Sequence, residues 1–385
     1  MFFDSHWHAR DWDESDKETV LRSLLVAEAA GIDAIAAMPN TFKPLTSLER
    51  CLQYLSLADS YKGPVRFFVH IGLTPDVEQV KRAVEAARLE PRIIGLKAYW
   101  GSSTGNLLIG KEEEQFRVLE TLAREGFEGV LVGHYEDEEE IDVGLYDSKN
   151  PITWSTLCRP EIVEISSFRK INRAAEKAKF KGKLHVAHVS SLEVVDEIAA
   201  YEPKDDEHRL QLSCDVALHT LVFNDEMLSG PYGAQYKCNP PLRAEKTRSG
   251  LLKRLLAGKI PMLISDHAPH SVAAKSQQVP ASGIASGLAW PRVVKYLRGQ
   301  GISESVLADA GFFNALELYG LKLFKEEQVV NSVSDSDNSD RILVKAEPVV
   351  PKEPWKYVKR SGRCDLKKLA ELQKQYPVDV YSFLK

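Results

Sequence analysis

The stretch MFFDSHWHAR, residues 1–10, decides how the chain is read. It opens as a short apolar strand and runs at once into a polar segment. That segment carries two histidines one residue apart, His6 and His8, with Arg10 two residues further on. An open doubly wound sheet usually follows its first strand with a glycine-rich phosphate loop. DSHWHAR stands in that place instead. Short apolar runs recur at residues 34–38, 65–71, 93–98, 129–133, 183–187, 210–214 and 260–264. With residues 1–4 they make eight candidate strands, near-continuously apolar, as expected of a parallel sheet covered on both faces. Amphipathic helical segments lie between them, among others at 17–30, 77–89, 113–125, 160–179 and 245–256. This alternation predicts an α/β fold, a closed (β/α)8 TIM barrel over residues 1–320.

Residues 303–321 read as a further helix, and 321–385 as a short C-terminal extension. Within the extension, NSVSDSDNSD at 331–340 is polar and of low complexity and predicts a mobile loop. Residues 341–351 read as a strand-like segment with a proline-rich turn, and 367–375 as a final surface helix.

The composition narrows the partners. The 385 residues are 44% apolar and 27% charged with a net charge of −5, a globular balance with no basic field for nucleic acid or anionic membrane. A small-molecule substrate is the expected partner. The five cysteines are scattered, odd in number and without a CxxC pair, so neither a disulfide framework nor a thiolate zinc site is expected. No run approaches ~20 apolar residues and no signal peptide is visible, so a cytoplasmic location is expected. A homodimer is the default assembly.

The chemistry gathers just past the strands, where barrels of this type place catalytic groups. His6 and His8 share strand parity, so both imidazoles point one way, a geometry suited to zinc and similar ions. Such pairs also occur as ordinary strand residues. Asp266, in ISDHAPH after the eighth strand, can complete a metal site and take a proton from water; alone it also reads as the cap of a short turn. Lys97, in GLKAYWGSSTGN, reads as a salt-bridge partner or an anion binder. An ammonium cannot ligate a metal, whereas a carbamate made from lysine and carbon dioxide can. His134 in LVGHYED and His188 in LHVAHVSS stand at the ends of the next two strands.

DSHWHARD, AAMPNT, GLKAYWGSSTGN, GHYED, HVAHVSS, CDVALHTL, YKCNPPLR and SDHAPH stand in the order seen in dihydroorotases of the amidohydrolase superfamily, which the chain resembles over roughly residues 1–320. The resemblance implies two divalent ions, zinc by expectation. His6, His8 and Asp266 would hold one, His134 and His188 the other, with carbamylated Lys97 bridging. It implies reversible cyclisation of N-carbamoyl-L-aspartate to L-dihydroorotate by a metal-bridged hydroxide, with Asp266 as the proton carrier. It further implies substrate contacts from Arg10, Asn40, Asn239, His270, Ser282 and Gly283. A lid over residues 101–106 would carry Ser103 and Thr104. Arg10 supplies a planar fork suited to a carboxylate. Hydantoinase- and dihydropyrimidinase-like hydrolases would share the metal set without the Arg10–Asn40–His270 trio. A catalytically silent scaffold would lose metal ligands, and every expected ligand type is present.

Two departures from the family stand out. Residue 1 already begins the first barrel strand, so no N-terminal half of an accompanying β-sandwich is expected. Trp7, between the two histidines, is bulky for its place and is expected to point toward the helical layer. Of the remaining histidines, His70 reads as a hydrogen-bonded core residue and His185 as packed against a helix. His208 reads as solvated, and His219 could line the pocket. The acidic run at 136–140 reads as a solvated helix start.

Overall fold

The computed structural model describes residues 1–203, 210–230, 232–323, 357–358, 364–376 and 378–384. His208, the low-complexity run at 331–340 and the segment at 341–351 lie outside the described residues. Eight strands follow one another around a barrel: β1 (Phe3–Trp7), β2 (Ala34–Ala37), β3 (Arg66–Gly72), β4 (Ile93–Tyr99), β5 (Val130–His134), β6 (Lys183–Val186), β7 (Gln211–Ala217) and β8 (Met262–Ile264). Consecutive strands pair in parallel from β1 to β8. The (β/α)8 barrel expected from the sequence is the observed fold.

The helices cover the barrel as α1 (Val20–Ala30), α2 (Leu48–Ser56), α3 (Val77–Leu89), α4 (Glu112–Arg124), α5 (Glu161–Lys177), α6 (Leu192–Ala199), α7 (Glu245–Leu256) and α8 (Trp290–Gly299). Several start at side-chain caps: Thr19 accepts from the Arg22 amide, Asp76 from Glu78, and Ser191 from Val194. Strand residues alternate between two apolar layers. Ile35, Val69, Leu96, Leu131, Val186 and Cys214 join the helices in the main core. Phe3, Ala34, Ala36, Phe68, Ile94 and Met262 fill the barrel interior. The N-terminal mouth of the barrel is closed by Phe312, Ala315, Leu316 and Leu321. The helix expected over 303–321 is present in three pieces, Glu304–Ala308, a widened π-type turn at Asp309–Phe313, and Asn314–Leu318. A last helix, α9 (Leu366–Gln373), lies against α1 with Leu369 and Leu372 buried.

The seam between β1 and β8 is joined by side chains as much as by backbone. Trp7 and His267 make a single bridge. Asp4 is fully buried and accepts from the Ser265 amide at 3.1 Å and the Trp290 indole at 2.7 Å. Burial raises its carboxyl to about 7. Trp7 points into the helical layer, as expected, and its ring is accommodated because residue 287 is glycine. A Cβ there would stand 2.2 Å from the Trp7 ring. Gly287→Ala is therefore expected to overpack this contact and cost about 1–3 kcal/mol, read as a lower melting temperature.

Candidate active site

At the C-terminal ends of the strands, one cavity is lined by His6, His8, Arg10, Asn40, Tyr99, Ser103, Thr104, His134, His188, Asn239, Asp266, Ala268, Ser282 and Gly283. It gathers side chains from widely separated parts of the sequence. A register shift in β1 between Asp4 and Trp7 brings His6 and His8 onto the inner face with Trp7 outside. His188 and Asp266 lie beyond the ends of β6 and β8 with φ of 41° and 47°, and Arg10 beyond β1 has φ of 57°. Such backbone is unfavourable for residues with a Cβ, by roughly 1–3 kcal/mol each, and clusters at functional sites.

The imidazoles and the carboxylate converge. Asp266 Oδ1 lies 3.1 Å from His8 Nε2 and 3.5 Å from His6 Nε2. One ligand atom from each of the three falls within 4.8 Å of the others. His134 Nδ1 is 3.2 Å from His188 Nε2, and the His6 ring stands 5.0 Å from that of His188. Burial, joined by the charge of Lys97, holds His6 and His188 well below the ordinary histidine range. His8 is also held well below that range by burial, with Arg10 the next cause. Neutral imidazoles are the form that ligates a metal. Among the described residues, His6 Nδ1, His188 Nδ1 and Lys97 Nζ are buried polar atoms without a hydrogen-bond partner. Lys97 is fully buried on β4, and desolvation lowers its amine to about 8. Convergent neutral nitrogens, a carboxylate and an unpaired amine form a donor set that fits divalent ions.

Around this cluster sit the other expected residues. Asn40 accepts at Oδ1 from His8 Nδ1 at 2.9 Å and donates from Nδ2 to the Thr104 carbonyl at 2.8 Å. The His8 hydrogen fixed on Nδ1 leaves Nε2 as the lone pair facing Asp266. Arg10 is almost wholly buried, donates to the Asn40 carbonyl at 3.2 Å and keeps Nε unpaired. Asn239 Oδ1 accepts from the Trp154 indole at 3.2 Å. Ser282 Oγ accepts from Lys237 Nζ at 2.6 Å. Gly283 has φ of 147°, and a Cβ there would meet the Ala268 carbonyl at 2.5 Å. His270 stands one layer back. Its Nε2 donates to the Ser282 carbonyl at 2.8 Å, and it lines an adjoining cavity rather than this one.

Several expectations need correction. His185 is not packed against the helical layer. It pairs in register with Val132, whose side chain faces inward, and its Nε2 meets Asp215 at 2.8 Å. The parity argument failed because His188 lies beyond the strand with positive φ, where alternation no longer applies. The acidic run at 136–140 is not uniformly solvated. Glu136 is fully buried, accepts from His134 Nε2 at 2.7 Å and pairs with Arg159. Arg159 in turn donates to the Ser102 carbonyl at 2.7 Å at the start of the 101–106 loop. His70 is the hydrogen-bonded core residue expected, with Nε2 on the Ser5 carbonyl at 3.1 Å. His219 lies behind the cavity, with Nδ1 3.3 Å from Ser286 Oγ. Tyr99 was missed, although it shares strand parity with Lys97.

Comparison with known proteins places the chain. No family model matches it. A dihydroorotase of Methanosarcina mazei is 31% identical over 287 residues, covering 72% of this chain and 60% of that protein. The chain is similar to dihydroorotases. It spans about 60% of the length of the curated relatives it matches. Among solved structures, an L-hydantoinase (dihydropyrimidinase) from Arthrobacter aurescens superimposes with a TM-score of 0.67 at 22% identity, covering 83% of this chain and 70% of that one. A dihydroorotase from Saccharomyces cerevisiae, solved with 5-fluoroorotic acid, gives 0.65 at 17%, covering 83% and 84%. At such identities the structural likeness establishes the barrel alone. No helix among the described residues is long and apolar enough to cross a membrane.

Glu136 touches His134 on the nitrogen facing away from His188, the position of a group that orients a ligand. Glu136→Gln is expected to weaken cobalt(II) binding by about ten- to a hundredfold, measured by equilibrium dialysis of the metal-free protein.

Proposed function

We propose that the chain is a dihydroorotase, interconverting N-carbamoyl-L-aspartate and L-dihydroorotate in pyrimidine synthesis. The observation that carries this reading is the placement of Arg10 and Asn40 on the same cavity wall as the His6–His8–Asp266 cluster. A ring amide bearing a carboxylate needs both a hydrolytic centre and an adjacent cation; Arg10 lines the cavity, with the Glu14 carboxylate 4.0 Å from its Nη1, and would present its guanidinium fork to the substrate's carboxylate.

Two divalent ions would be held by His6, His8, Asp266, His134, His188 and a carbamate on Lys97. When bound they would supply Lewis-acid polarisation of the amide carbonyl and an activated water. Carbamate formation joins the free amine of Lys97 to carbon dioxide and releases a proton. The lowered basicity of this buried amine enlarges the reactive fraction near neutrality. Asp266 is raised to about 6 by burial, which suits a carboxylate that accepts a proton at Oδ1 and returns it to the departing ring nitrogen. Asn40 orients His8 on one side and holds the Thr104 carbonyl of the lid loop on the other. Ser103 and Thr104 reach the cavity from that loop and would exclude water over a bound substrate. Ser282, Gly283 and Asn239 face it from the opposite loops, where they would contact the ring, with His270 supporting Ser282 from behind.

Arg10→Ala tests the carboxylate assignment. It is expected to cut kcat/KM for dihydroorotate by about a hundredfold or more, mainly through KM, and to leave a neutral dihydropyrimidine no worse a substrate. Unchanged dihydroorotate kinetics would remove the assignment. Faster turnover of hydantoins or dihydropyrimidines than of dihydroorotate by the unaltered protein would favour a hydantoinase-like enzyme. Lys97→Ala is expected to lose most bound metal, counted by atomic emission, together with both directions of turnover.

A further inference from the structure

The segment after residue 363 returns to the barrel at Asp365, 99 residues beyond Asp266. The backbone of Asp365 donates to the Ala29 carbonyl at 2.8 Å, and Arg292 grips Asp379 at 2.7 and 2.9 Å. The Tyr381 ring packs 4.8 Å from Phe223. Packing alone would be served by phenylalanine at Tyr376 and Tyr381, yet both are buried tyrosines with hydroxyls that reach inward.

Tyr376 donates to Glu18 Oε2 at 2.5 Å, and the same oxygen lies 3.2 Å from His267 Nε2. Glu18 and His267 are both fully buried. The Gly287 amide donates to His267 Nδ1 at 3.0 Å, so the ring hydrogen resides on Nε2 and points at Glu18. His267 follows Asp266 in the chain, stacks on Trp7 at 4.4 Å, and its carbonyl accepts from the His8 amide at 2.9 Å. A second chain begins at Tyr381, which donates to Ser286 Oγ at 2.9 Å. Ser286 Oγ stands 3.3 Å from His219 Nδ1. His219 in turn is hydrogen-bonded to the backbone of Ser265, the residue before Asp266. The two chains approach Asp266 from either side, and both start on the C-terminal segment.

We propose that this segment is a working wall of the active site, and that Tyr376 and Tyr381 are positioning residues holding Asp266 and His8 through these two chains of hydrogen bonds. The inference rests on the reading of Asp266 and His8 as metal ligands. It assigns a role to the C-terminal extension, which the resemblance to dihydroorotases leaves without one. The segment also lines the cavity behind His270 and Gly283, so its hold extends to the loop that would face the substrate.

The test uses the full chain with cobalt(II) as the probe. Tyr376→Phe, Tyr381→Phe and the double variant are compared with Val118→Ala, a core truncation in α4 outside both chains. Metal affinity is read from the visible spectrum of cobalt during titration, alongside the melting temperature of the metal-free protein and kcat and KM for dihydroorotate. The double variant is expected to bind cobalt about tenfold more weakly and to lose about tenfold in kcat, with KM changed by less than about threefold. Val118→Ala is expected to lower the melting temperature without moving cobalt affinity. Should the double variant fail to fold, each single variant is expected to show about a threefold loss of affinity. Tyrosine variants that lower only the melting temperature, with cobalt affinity as in the unaltered chain, overturn the proposal. An unaltered chain that binds cobalt but does not turn over dihydroorotate overturns the substrate reading alone; weakened cobalt binding by the tyrosine variants would then still support the wall.

Discussion

The closure of the barrel at its first and last strands is the constraint on which the site depends. Neighbouring strands elsewhere share backbone ladders, but β1 and β8 meet through the fully buried carboxylate of Asp4, which accepts from the Ser265 amide and the Trp290 indole. The cluster of His6, His8 and Asp266 straddles this seam, with His6 from β1, His8 just beyond its end and Asp266 just beyond β8. An error in closure would separate the imidazoles from the carboxylate before it disturbed any helix. The seam is therefore a condition for convergence of the donor set. A buried carboxylate without partners would be costly, and its hydrogen bonds fix how the two strands meet.

The barrel was legible because every strand is buried on both faces, which writes it as an apolar run between amphipathic segments. The reading of β1 ended too early, at residue 4, because SHW carries polar groups where a strand of ordinary core would not. Those groups face a polar cavity at the barrel mouth, so the interruption in hydrophobicity marked the site rather than the end of the strand. Helix α2 was not singled out, although Ser47 caps it, because it is only nine residues long with three of them, Cys51, Tyr54 and Leu55, buried. The widened turn at 309–313 left no signature in periodicity, since it preserves the helical course while turning Phe312 into the barrel mouth.

The candidate site was legible where residue type and strand end coincide. Five of the six expected metal-site residues line one cavity, and Lys97 is buried on β4. What escaped lies one contact further out. Glu136 sits in a run of acids that composition alone assigns to solvent, and only the fold reveals that the first of them turns inward to His134 and Arg159 while Glu139 and Glu140 remain outside. Arg159 lies 25 residues beyond His134, with no spacing rule to join them. Parity, reliable inside a strand, misled at His188 because a positive φ re-aims the side chain. Local pattern identifies groups that perform chemistry more readily than groups that hold them, because the holders are chosen by three-dimensional neighbourhood.

Among the described residues, the apolar plug of Phe312, Ala315, Leu316 and Leu321 packs the N-terminal end of the barrel, and the candidate site lies at the opposite end. With that end packed, ligands would arrive and depart past the loops carrying Thr104 and Gly283. A departing product would then occupy the route by which the next substrate enters. For the reversible reaction proposed above, this geometry would make the two partners mutually exclusive occupants, and their relative concentrations would decide which way the same mouth is used.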